Sequence, residues 1–144
     1  MHRAVRTLFL ALSLTAVMAV GVQANSGGVA AVPLNNGQET TDAKFGGSGS
    51  FTWWVDGGDL CYTLSVKGLT SAPFAAHIHG VAGRTEFAGI VVPLVQPASA
   101  TGTSTACATP DASLLAAIVA NPRDYYVNVH TTMFTGGEVR GQLK

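Results

Sequence analysis

The feature that most constrains this chain is a period of two. Across residues 50–55, Phe51, Trp53 and Val55 share one parity. Across residues 60–67, Leu60, Tyr62, Leu64 and Val66 share one parity, and Cys61, Thr63, Ser65 and Lys67 the other. Alternate side chains of a strand point to opposite faces, so each segment reads as a strand with one buried face. Asp56-Gly57-Gly58-Asp59 between them is hairpin-turn chemistry. Residues 74–79, 90–94, 125–130 and 139–143 read as further strands, and 30–34 as a weaker one. Short strands with Gly-rich connections predict an all-β, antiparallel sandwich or barrel.

One segment departs from this period. Thr109-Pro110-Asp111 offers a cap and a Pro suited to a first helical turn, and Asn121-Pro122 offers a stop. Between them Leu114, Leu115, Ile118 and Val119 form an apolar stripe at helical spacing, predicting one short helix over 111–120 whose stripe joins the core. The small, polar stretch 96–105 reads as a mobile loop.

Residues 1–24 are read as a signal peptide rather than as part of the fold. His2, Arg3 and Arg6 precede an uncharged apolar run over 8–20, and Val22-Gln23-Ala24 supplies small residues for cleavage. The run is shorter than the roughly 20 residues a membrane span needs. The remaining domain, 25–144, is expected in an exported location, whether periplasmic, secreted or extracellular. It keeps six basic residues against eight acidic, a net charge of −2. With no basic cluster, neither nucleic acid nor a membrane surface is an expected partner.

Export also changes the reading of the two cysteines. In an oxidising compartment the even pair Cys61 and Cys107 is most simply a disulfide, here tying the 96–105 loop region to the barrel exterior. Two metal-ligating thiols would want closer spacing or more Cys.

Beyond residue 24 there are three histidines: His77, His79 and His130. In 75–79, His77 and His79 share a face and Ile78 points the other way. In 125–130, Tyr125, Val127 and Val129 share one face and Asn128 and His130 the other. Burying Ile78 and the valines therefore sends all three histidines outward. A His-x-His pair with a third imidazole from another strand is a three-nitrogen metal site with an open position. The competing reading is three structural histidines at strand ends. Imidazoles without thiolates favour copper over zinc. Neutral imidazole is the binding form, so affinity should fall below about pH 6.5. His79→Ala should abolish one ligand and spare the fold, because the side chain faces out. Met133, three residues past His130, is a candidate additional ligand, with loop packing as its simpler role.

Ala76-His77-Ile78-His79-Gly80, Gly89-Ile90-Val91-Val92-Pro93-Leu94, Tyr125-Tyr126-Val127-Asn128-Val129-His130-Thr131 and Gly136-Gly137-Glu138-Val139-Arg140-Gly141-Gln142-Leu143 together resemble the CHRD domain. That domain is named for chordin and also occurs alone in exported microbial proteins. Leu34-Asn35-Asn36-Gly37-Gln38-Glu39 is similar to the family's start, so the resemblance spans nearly all of 25–144. Val81 stands where a Pro is usual, and 134–137 lacks the Pro often found there. The pattern in turn looks like copper-zinc superoxide dismutase, which implies a Greek-key barrel and maps His77, His79 and His130 onto copper ligands. A bridging histidine and a zinc cluster have no counterpart here, and Arg140, within a strand, is not clearly the channel Arg of a dismutase.

Three functions follow. The first is an exported, non-catalytic copper-binding domain. The second is a binding or scaffold module presenting Trp54 and Tyr126, with structural histidines. The third is a dismutase-like redox enzyme. No other catalytic set stands out: Asp124 and Glu138 read as separate, solvated carboxylates, and 47–50 is one residue short of a nucleophile elbow.

Overall fold

The computed structural model describes residues 30–44 and 46–144; the leader assigned to 1–24 lies outside them. Among the described residues eight strands and one α-helix follow in order: β1 (Val32–Asn35), β2 (Ser48–Asp56), β3 (Asp59–Lys67), β4 (Ala75–His79), β5 (Ile90–Leu94), β6 (Gly102–Ala108), α1 (Ala112–Ala120), β7 (Tyr126–His130) and β8 (Val139–Gln142). All pairings are antiparallel, in one sheet ordered β5-β4-β7-β8-β1-β2-β3-β6. The chain leaves β3 for β4 and β6 for β7 across the sheet, which gives the Greek-key path and the nearly closed barrel that the alternation and the resemblance implied.

The β2–β3 hairpin shows why the sequence closes where it does. Asp56 pairs with Asp59, leaving a two-residue loop. Gly57 and Gly58 have φ of 57° and 102°. A tight hairpin whose twist matches its strands needs positive φ at both positions, which Gly supplies without a Cβ clash. From that turn the register runs unbroken to Ser48 opposite Lys67.

The core lies where parity put it, except that Val55, which shares the parity of Phe51 and Trp53, is exposed beside the hairpin turn. Phe51, Leu60, Leu64, Ile78, Val127, Val129, Val139 and Leu143 are fully buried, and Trp53 and Tyr125 nearly so. Each such aliphatic side chain contributes about 1.5–3 kcal/mol by leaving water. The ends of the sheet, β5 and β6, approach each other without a backbone ladder. Side chains cross that seam instead: Val95 N–H donates to Tyr62 Oη at 2.6 Å, and Ser104 Oγ–H donates to Val95 O at 2.7 Å. Pro93, which cannot donate to a ladder, is tolerated because β5 is an outer strand.

Three local expectations change. The end of the 96–105 loop is part of β6, paired with β3 from Gly102 opposite Val66 to Ala108 opposite Leu60. Cys107 is therefore a strand residue directly opposite Cys61, and the disulfide is cross-strand, with Cα atoms 3.9 Å apart, rather than a tether from a loop to the exterior. In α1, Asp111 is the N-cap, so Pro110 precedes the helix; Leu115 and Ile118 are buried while Val119 is 51% exposed, a narrower stripe than read.

Candidate metal centre

The strand order brings the three histidines together. β4 pairs with β7, Ala75 facing His130, His77 facing Asn128 and His79 facing Tyr126. His77 is thus diagonal to His130 on one sheet face, and His79 follows two residues along. Their ring centroids are 4.9–6.0 Å apart. One nitrogen from each lies within 4.8 Å of the others, an arrangement that can hold a metal ion. Nitrogens bound to one ion at about 2 Å are at most about 4 Å apart, so closure needs shifts of under about 1 Å.

The histidines do face away from Ile78 and the valines, but they are not on an open surface. His79 and His130 are 4% and 7% exposed; His77 is half-buried. The connections 80–89 and 131–138 supply carbonyls to them, which strand parity could not foresee. His79 Nδ1–H donates to Ala88 O at 2.8 Å, and His130 Nδ1–H donates to Thr135 O at 3.0 Å. A carbonyl accepts only, so both neutral rings carry their proton on Nδ1 and keep a lone pair on Nε2. His130 Nε2 accepts from His77 Nδ1–H at 3.0 Å. His79 Nε2 is buried with no hydrogen-bond partner. This is the arrangement metal-binding histidines favour, one nitrogen fixed by an outer carbonyl and the other free.

The local electrostatics keep the rings neutral. Burial, reinforced by His130 and then His79, pushes the His77 pKa down to about 4. Burial likewise lowers His79, against the raising effect of the Ala88 bond, and lowers His130, against that of the Thr135 bond. The expected loss of binding below the ordinary histidine pKa therefore moves to lower pH.

Around the histidines lies a second buried layer, and it is polar. Arg140 is 1% exposed, with Cζ 3.2 Å from the centroid of Tyr126, whose ring stacks on His79 at 4.7 Å and 5°. Asn128 and Glu39 are also buried. Burial raises the Glu39 pKa to about 7, against the lowering effect of Arg140. Its Oε1 has no hydrogen-bond partner and presses on the space beside Gly137, where φ is 128° and a Cβ would collide with the carboxylate.

Several site readings change with this layer. Tyr126, offered as a binding surface, is 2% exposed; Trp54 is exposed at 41%. Glu138 is no solvated carboxylate but fully buried, accepting from Thr70 N, Thr70 Oγ and Thr131 Oγ at 2.6–2.8 Å. Met133 is 67% exposed in the β7–β8 connection, and loop packing does not account for it. His79, being buried and stacked, is not a residue that Ala can replace at no structural cost.

A family model described as the CHRD domain matches residues 22–143, nearly the whole chain. No curated protein and no solved structure matches it.

Proposed function

The chain belongs to the CHRD domain family, and from that membership and the histidine cluster we propose that it is an exported, non-catalytic metal-binding domain that takes copper through His77, His79 and His130. The observation that carries the reading is the buried, unpartnered Nε2 of His79 beside two further imidazoles. A buried polar atom without a partner costs about 1–3 kcal/mol, and bonding to a metal ion would remove that cost. Three neutral imidazoles suit copper above zinc in the divalent affinity order. Both cysteines are in a disulfide, so thiolate does not compete for the role of ligand. The same bridge is compatible with an oxidising compartment, and export rests on it and on the sequence of 1–24. The copper-zinc dismutase reading is set aside because residues 25–144 hold no fourth histidine to bridge a second metal.

The test is competition titration with Cu(I), Cu(II) and Zn(II) on wild type and His77→Ala. His77 is the ligand of choice because its ring is half-buried and not stacked on Tyr126. Wild type should bind one copper ion and prefer it to zinc. The variant should bind at least about 100-fold more weakly, since even outer partners of a ligand are worth roughly 10–100-fold. Equal, poor binding by both proteins would end the copper reading.

A further inference from the structure

We propose that Arg140 is a positioning residue for His79: it grips the 80–89 connection and the Tyr126 ring so that His79 holds its proton on Nδ1 and leaves Nε2 for a ligand. The inference rests on the metal-site reading above for its purpose, but not for its geometry. The sheet order β4-β7-β8 places Tyr126 between His79, its partner across β4, and the strand that carries Arg140. The guanidinium lies on the Tyr126 ring at 3.2 Å, and that ring is stacked nearly parallel on His79. A guanidinium over a buried aromatic face is held by the ring quadrupole, so Arg140 and Tyr126 fix each other and the plane of the imidazole.

The same guanidinium fixes the imidazole's acceptor. Arg140 Nη1 donates to Glu86 O at 2.7 Å and Nη2 to Gly83 O at 2.6 Å. Between those carbonyls sits Thr85, at φ 60°, a left-handed conformation that a β-branched residue adopts only when its surroundings impose it. Two residues past Glu86, Ala88 O receives the His79 Nδ1–H, and Ala88 N–H donates to Tyr126 Oη at 3.3 Å. Planar fork, strained turn and acceptor carbonyl therefore form one chain of contacts ending on Nδ1. Lys could replace the charge but not the fork, since its single ammonium cannot span both carbonyls and lie flat on the ring.

The experiment reads the tautomer directly, by long-range proton–nitrogen correlation of the histidine rings in the metal-free protein at about pH 7.5, where imidazole is neutral. Wild type should show His79 and His130 with the proton on Nδ1; a His79 proton on Nε2 overturns the proposal at once. In Arg140→Lys, His79 should become a tautomer mixture while His130, held by Thr135, does not change, and Cu(I) affinity should drop about 10–100-fold. A folded Arg140→Lys protein that keeps the wild-type His79 signature, or that shifts His130 equally, overturns it. Tyr126→Phe decides the matter if Arg140→Lys does not fold. It removes only the hydroxyl and leaves the guanidinium's grip, so His79 should keep its proton on Nδ1, and a shift there would assign the tautomer to the hydroxyl instead. A wild type that binds no copper would end the metal reading yet leave the tautomer result to stand by itself.

Discussion

Replacing Glu39 by Gln should make the protein more stable in mild alkali and change little in acid. Glu39 is buried, 7% exposed, and its carboxyl pKa is raised from 4.5 to about 7, chiefly by loss of hydration. The folded state therefore binds more protons than the unfolded state between those values, and stability falls as pH rises through that window. A shift from 4.5 to about 7, at 1.36 kcal/mol for each pKa unit, sets a ceiling of about 3 kcal/mol on the cost of ionising Glu39 at high pH. Gln keeps the shape and cannot ionise, so Glu39→Gln should escape that cost. Below about pH 4 both side chains are neutral, and the comparison there isolates whatever the amide itself does to Arg140 and Gly137. The histidines titrate in both proteins and cancel. Urea unfolding at about pH 4 and about pH 8.5 reads the effect: the variant's advantage should grow by about 2–3 kcal/mol between them. An advantage independent of pH would refute the reasoning, because it would mean that Glu39 titrates normally, with Arg140 compensating for its burial.

Four further outcomes are expected. Copper affinity should hold below the ordinary histidine pKa, because burial holds all three rings below it, which a titration series over pH will show. Over the same range wild-type stability should gain a component that falls with falling pH, the opposite sign to Glu39, because depressed histidines resist the proton that the unfolded chain accepts. Replacing both Cys61 and Cys107 by Ala should cost up to about 4 kcal/mol in urea unfolding, the chain-entropy value for a 46-residue separation. Gly137→Ala should cost at least about 2 kcal/mol and lower the melting temperature, as it combines a left-handed φ with a Cβ against the Glu39 carboxylate.

Much of the fold was legible because burial on one face leaves a trace in the sequence. Ile78 between two histidines, and Val127 and Val129 beside Asn128 and His130, fixed which way each strand turns before any pairing was known. β6 left no such trace. Its residues are all small or polar, Gly102 to Ala108, and an outer strand can form with them because β3, its one neighbour in the sheet, supplies both the hydrogen bonds and the bulk. The polar layer around the histidines was invisible for a different reason. Parity says that Arg140, Tyr126 and His79 face away from the apolar core, but not that the connections 80–89 and 131–138 lie over them. That depends on contacts of Arg140 with Gly83 and Glu86 more than fifty residues away in the chain. The site residues were therefore readable as a set, while their burial, tautomers and acidity were not.

The seam between β5 and β6 has a consequence for how this protein behaves at high concentration. A cylinder hydrogen-bonded all the way round offers no template, but this one is laced across the gap by a tyrosine hydroxyl and a serine rather than by main chain. Backbone groups along the gap are the place where a strand from another molecule could add, and the growth of a polymer starts from such a free margin. The Cys61–Cys107 bridge holds one lip of that margin to its neighbour, next to the hinge from which β6 would peel. Reduction should thus show itself first as self-association, before any loss of the histidine cluster, whose strands β4 and β7 belong to the other lip of the gap.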